Sequence, residues 1–301
     1  MSYHLVTNSS KGLDMTPKQL VSDIEGLFSL PEIFLKINAL IEDPRASADD
    51  FTALISQDAD LTARLLRTVN SSFYGLKAPI DTISRAITII GTNDLRNLAV
   101  MTAACDLFSG IPADLMKMDD FWYSSVACGT LAQSFGKRCC VLHPERLLVM
   151  GVLHDIGRLV LVQQLPELTK EVLMITQGRN ELLIDAERDV MGCDHAEVGA
   201  LLAESWGLPV SICNAIRYHH APMESSKYLT ETAVVHVSQA LAYGMQSGED
   251  IEFVLTEIDQ TALSFLRLNH DDCREIYEAI ASEVEEVYAV LVGYGSSSQA
   301  N

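Results

Sequence analysis

The chain has 301 residues, a formal net charge of −20, a hydrophobic fraction of 48% and a charged fraction of 21%. That composition is of a folded protein with room for a large core, not of a disordered chain. The acidic excess repels phosphate backbones and anionic lipid at long range, which sets broad nucleic-acid and membrane-surface binding aside.

A polar leader, MSYHLVTNSSKGLDM, lacks the apolar centre of a signal peptide and reads as a disordered tail over 1–15. From Thr16-Pro17 onward the apolar residues recur with helical spacing and strand-type alternation is nearly absent, so the expected fold class is all-α. The first helix starts at that Thr-Pro, with Leu20, Ile24 and Leu27 on one face. Pro31 opens a second helix, striped by Ile33, Ile37, Leu40 and Ile41 and stopped by Pro44. Ser47 caps a third that turns Phe51, Leu54 and Ile55 inward, and Asp60 is the expected cap of a fourth carrying Leu61, Leu65, Leu66 and Val69.

After a loop, 83–90 and 93–108 read as helices separated by Gly91, and the stretch 109–112 breaks the chain. Long helices are expected over 119–138, 144–153, 196–205, 209–218, 229–246 and 271–292. The expected organisation is an amino-terminal helical part over 16–110, a second helical block over 111–292 and a disordered tail, GYGSSSQAN, over 293–301. Between residues 61 and 100, Arg64, Arg67, Lys77, Arg85 and Arg96 face only Asp81 and Asp94, and this local basic excess reads as an ordinary solvated face.

The seven cysteines are odd in number, form no CxxC pair and lie mostly in apolar helical patterns, which reads as buried thiols in a reducing compartment. No apolar run nears the roughly 18 residues needed to span a bilayer. The expected location is cytoplasmic.

Histidines and one aspartate carry the candidate chemistry: His154-Asp155 in GVLHDIGRLVL, His195 in GCDHAEVGALLAESWGLP and His219-His220 in AIRYHHAP. Imidazole and carboxylate are the ligand types of first-row divalent metals, which lower the pKa of bound water. The bland alternative is a hydrogen-bonded polar cluster between helices, which needs no metal. The dinucleotide, P-loop, esterase and zinc-protease signatures are all absent.

Taken with LPEIFLKINALIEDPRAS, LISQDADLTARLLRTVNSSFYGL, PIDTISRAITIIGTNDLRNLAV and FWYSS, these segments in this order resemble the HDOD family, the HD-related output domain of bacterial signalling proteins, over about 24–245. The resemblance implies a multi-helical bundle related to the HD and HD-GYP metal-dependent phosphohydrolases, preceded by an amino-terminal helical subdomain. It also implies a ligand pattern: a first His on the helix near FWYSS, the His-Asp pair, an isolated His, a His-His pair and a final Asp. Here the first position is Ser124 and the last is Gln239, so two ligands are replaced, while His154, Asp155, His195, His219 and His220 match. A protonated hydroxyl and a neutral amide are weak donors for a transition metal. His236, one turn before Gln239, is a candidate substitute ligand.

The function expected from this is a bacterial signal-transduction module that acts by protein–protein interaction on signalling proteins, without catalysis. The alternative is a metal-dependent phosphohydrolase of nucleotides or cyclic dinucleotides with a partial site holding a single divalent Mn, Fe or Zn, and Arg158 as a phosphate contact. A third reading, a ligand sensor without turnover, and a homodimer through an apolar helix face stay open.

Overall fold

The computed structural model describes residues 16–18, 20, 31–71, 74–108, 111–179 and 182–292. Among them every regular element is helical, as the apolar periodicity predicts. The two tails, the break at 109–110, and Ile24 and Leu27 lie outside the described residues.

An amino-terminal block holds α1 (Glu32–Glu42), α2 (Ala48–Ile55), α3 (Ala59–Asn70) and α4 (Ile83–Leu107). Ser47 caps α2 in a full capping box, its hydroxyl receiving the Asp50 N–H while the Asp50 carboxylate receives the Ser47 N–H. The cap of α3 is Asp58, which accepts from Leu61 N at 2.9 Å, and not the expected Asp60. Asp60 instead lies in the first turn and pairs with Arg64 at 2.9 Å. Gly91 adopts φ 82°, ψ 162° inside α4, a left-handed conformation that breaks the helical path where the sequence separates two helices.

The second block is built on α5 (Met118–Arg138), α6 (Arg146–Leu153), α7 (Ile156–Gln164), α8 (Pro166–Thr176), α9 (Leu183–Met191), α10 (His195–Ser205) and α11 (Val210–Tyr218). It continues through α12 (Leu229–Ser247), α13 (Ile251–Glu257), α14 (Gln260–Leu266), α15 (His270–Ala279) and α16 (Ala281–Leu291). The expected single helix over 271–292 is two, divided at the buried Ile280. Helix α5 is the central post, packed against α6, α12 and α16, and α16 also touches α3. One apolar cluster runs from Leu20 to Leu291, so the two blocks share a core.

Three expectations need correction. Residues Arg146–Gln164 are long and apolar enough to cross a membrane by length and composition, but 83% of that window is buried inside the protein, where it forms α6 and α7. Cys140 is exposed, although all seven cysteines are free thiols and Cys128, Cys193, Cys213 and Cys273 are buried. The basic stretch is also not one open face, because Arg96 is only 9% exposed and bonds Asn97.

Candidate metal centre

Three helix junctions converge in the core. His154 is the C-terminal cap of α6 and Asp155 the N-terminal cap of α7, so the chain turns between them and both side chains face one centre. Asp155 makes no capping bond, which leaves its carboxylate to that centre. His195 opens α10, whose cap is Asp194 accepting from Glu197 N at 2.8 Å. His219 caps the C-terminus of α11, and His220 follows it.

Close approach of α7 and α10 is what brings Asp155 and His195 together. A methyl on Gly157 would collide with the His195 carbonyl and lie 2.6 Å from Gly199 N, and one on Gly199 would lie 2.9 Å from Gly157 N. Only glycine lets these two backbones touch.

Asp155 Oδ1 stands 3.4 Å from His154 Nε2, 3.2 Å from His195 Nε2 and 3.4 Å from His219 Nε2. His195 Nε2 is 2.9 Å from His220 Nε2. The opposite nitrogen of each ring is committed: His154 Nδ1 donates to Gly151 O at 2.7 Å, His219 Nδ1 to Ile216 O at 2.6 Å and His195 Nδ1 to Glu187 Oε2 at 2.7 Å. Carbonyl and carboxylate oxygens only accept, so each Nδ1 carries a proton, and any of these rings that is neutral turns an Nε2 lone pair to the carboxylate. Lone pairs facing an anion at these distances repel unless a positive charge lies among them.

That charge is either a proton or a cation. Burial opposes a charge on His195, but the Glu187 and Asp155 carboxylates outweigh it and push its pKa up to about 10. Burial pushes His154 down to about 4, and burial with the neighbouring imidazoles pushes His220 well below its usual range. Burial would raise Asp155, yet His154 and His195 hold it well below the usual carboxylate range.

The donor set also suits a cation. Single ligand atoms from Asp155, His195, His219 and His220 all lie within 4.8 Å of one another. Adjacent ligands of one ion, with bonds of about 2.0–2.2 Å, stand about 2.9–3.6 Å apart, the range of the separations above. Asp155 Oδ1 and His219 Nε2 are buried without a hydrogen-bond partner, as expected of atoms reserved for an ion.

The other predicted site residues take different places. His236 is not in the donor group; its Nδ1 donates to the His219 carbonyl at 2.8 Å and so braces the segment that carries His219 and His220. Arg158 Nη1 donates to Asp155 Oδ2 at 3.0 Å. Ser124 lines a cavity of about 510 Å³ together with Asp155, Arg158 and Glu187. Gln239 is half-buried on α12, one turn before Tyr243, which lines the same cavity.

Sequence reasoning missed Glu187. It is 4% exposed on α9, and its Oε2 accepts from both the backbone N and Nδ1 of His195, at 2.9 and 2.7 Å. A carboxylate behind a ligating imidazole fixes its tautomer and raises its basicity. The available signal was Leu183, Glu187 and Met191 at i, i+4 and i+8, an acid on the apolar stripe of its helix.

Known proteins agree with this architecture. A Treponema pallidum (strain Nichols) protein of uncharacterised function is 28% identical over 258 residues, covering 82% of this chain and 47% of the relative, so the chain spans about half of that protein's length. A solved Shewanella amazonensis SB2B structure, provisionally named a phosphohydrolase, aligns with TM-score 0.72 and 22% identity over 93% of this chain and 100% of its own. A Geobacter sulfurreducens HDOD domain protein of unknown function aligns with TM-score 0.64 and 26% identity, covering 91% and 97%. The HDOD domain family matches residues 27–222, and the chain belongs to that family.

Proposed function

We propose that the protein is a bacterial, cytoplasmic signal-transduction module that acts by contact with other signalling proteins, and that its histidine centre holds one divalent Mn, Fe or Zn ion as a structural core without turnover. The observation that carries the metal is the meeting of the Nε2 atoms of His154, His195 and His219 at Asp155 Oδ1 with every matching Nδ1 already committed. Asp155, His195, His219 and His220 would hold the ion, with His154 beside them. When bound, such an ion offsets the Asp155 charge and polarises an oxygen placed against it. The chain's own part is orientation: Glu187, Gly151 O and Ile216 O fix three imidazoles, and Arg158 pins Asp155.

Absence of turnover is supported by Ser124 and Gln239 at the positions where the family resemblance expects His and Asp. A second reading, a metal-dependent phosphohydrolase, draws on the cavity beside Asp155 and Arg158. In that reading Arg158 would leave Asp155 to hold a phosphate.

The test is metal content by mass spectrometry after chelator-free purification and incubation with manganese, ferrous iron or zinc, with hydrolysis assays on cyclic dinucleotides. Near-stoichiometric metal, lost in His219→Ala, with no hydrolysis is the expected result. Metal-free protein of unchanged melting temperature overturns the metal, and hydrolysis that disappears in His154→Ala establishes the second reading instead.

A further inference from the structure

The cavity of about 510 Å³ lies between α5, α7 and the α8–α9 pair, and its size is that of a small-molecule site, for which about 300–1,000 Å³ is usual. Its walls are mainly apolar: Phe121 from α5, Val162 from α7, Val172 and Leu173 from α8, Leu183 and Met191 from α9. The hydroxyls of Ser124, Ser125, Thr169 and Thr176 also line it and could partner a polar ligand, but the larger share of apolar wall favours a ligand with a hydrocarbon body.

Charged groups reach the same space unequally engaged. Of the acids, Asp155 is held by Arg158 and the imidazoles, Glu187 by His195, and Asp120, at the exposed rim, lies 3.9 Å from Lys117. The bases are less occupied. Among the described residues Arg158 uses Nη1 alone, the Arg179 side chain reaches the Thr176 carbonyl through Nε at 3.5 Å, and Lys117 stands 3.9 Å from Asp120. Guanidinium groups with open donors beside an apolar chamber suit a planar or tetrahedral anion with a hydrocarbon body.

We infer that this cavity binds an amphipathic anion, an apolar chain ending in one carboxylate or phosphate, with Arg158 and Arg179 on the head and the α5–α7–α8–α9 walls on the tail. This goes beyond the function proposed above, since neither the head-group contacts nor the walls require an ion at the histidine centre. The ligand class also differs from the nucleotides and cyclic dinucleotides that the family resemblance implies.

Isothermal titration of the full-length protein, below the critical micelle concentration, tests it with decanoate and decyl phosphate as the two head groups. Decanol, decylamine and AMP are the controls, and metal content is measured on the same samples. The expected result is saturable binding of decanoate or decyl phosphate at least tenfold tighter than decanol, decylamine or AMP. The preferred anion identifies the head group. Arg179→Gln, at an exposed position away from the histidine centre, should weaken that anion at least tenfold, and Leu173→Gln should weaken it while circular dichroism stays unchanged. Binding that persists in chelated protein separates this site from the metal. No heat with either anion, equal affinity for decanol, tighter AMP, or an Arg179→Gln variant that binds like wild type would overturn the proposal.

Discussion

Glu187 and His195 lock one another across two helices, since a single carboxylate oxygen accepts both the backbone N–H and the Nδ1–H of the histidine. The backbone N–H lies in the first turn of α10, where no carbonyl of the helix can receive it, so the carboxylate satisfies a donor that the helix cannot. Both groups are buried, and removal of the negative partner strands His195.

Glu187→Gln keeps the shape and one acceptor but loses the charge. The expected outcome is a loss of about 2–4 kcal/mol in urea unfolding of the metal-free protein, the scale for breaking a buried charged pair. Metal affinity should fall about 10–100-fold, the usual effect of deleting a carboxylate behind a ligating histidine. Equal zinc affinity in variant and wild type would reduce Glu187 to a packing residue.

The pH profile of the metal-free protein has two limbs of opposite origin. His195 keeps its proton up to a pKa of about 10 in the fold against 6.5 in the unfolded chain, so its contribution is present below pH 6.5 and is lost as pH rises toward 10. His154 is depressed to about 4, so the unfolded chain binds the proton first and stability falls as pH drops from 6.5 to about 4. Asp155, held well below 3.8, adds a further loss under that pH. Urea midpoints of chelated protein should therefore peak near pH 6.5. With saturating metal the alkaline limb should rise instead, because ligands bind once deprotonated. A level midpoint from pH 5 to 9 in chelated protein would contradict the shared-proton account.

The parts of this molecule that were legible in sequence are those where a local rule decides: the Ser47 cap, the break at Gly91, the stripe of Leu61, Leu65 and Val69. Helices α7, α8, α9, α13 and α14 carry no comparable signal. Residues 156–164 are apolar around most of the helix because both sides are buried, so no amphipathic period exists to detect. Helices α13 and α14 are seven residues each, too short for a periodic signal. The histidine residues of the centre were legible from residue type and order. Their convergence was not, since it depends on backbone contact of Gly157 with Gly199 and on Glu187, which sits in α9.

Gly157→Ala tests that contact directly. The added methyl meets backbone atoms of His195 and Gly199, which cannot rotate away as a side chain does. Overpacking of this kind costs about 1–3 kcal/mol and occasionally more. It also pushes α10 off α7, so the variant should lose metal while its helical circular dichroism persists. A variant that binds zinc as tightly as wild type would show that the two helices tolerate separation.

The two helical blocks are held by polar contacts as well as by their common core. Asn38 Nδ2 donates to the Trp206 carbonyl at 2.9 Å, and Arg146 Nε donates to Asp94 Oδ1 at 3.2 Å. Burial pushes the Asp94 carboxyl up, and Arg146 is the main group that opposes this. Arg146→Ala leaves a carboxylate that is only 8% exposed without its cation, and the expected loss is about 1–2 kcal/mol, reduced from the fully buried case because Arg146 itself is partly open to water. Asp94→Asn in the same chain removes the stranded charge, so the double variant should recover part of that loss in a double-mutant cycle. Both variants should still unfold in one transition, because Asp94 and Arg146 flank an apolar cluster that both blocks share. A double variant no more stable than Arg146→Ala alone would mean that the charge on Asp94 is not what Arg146 answers.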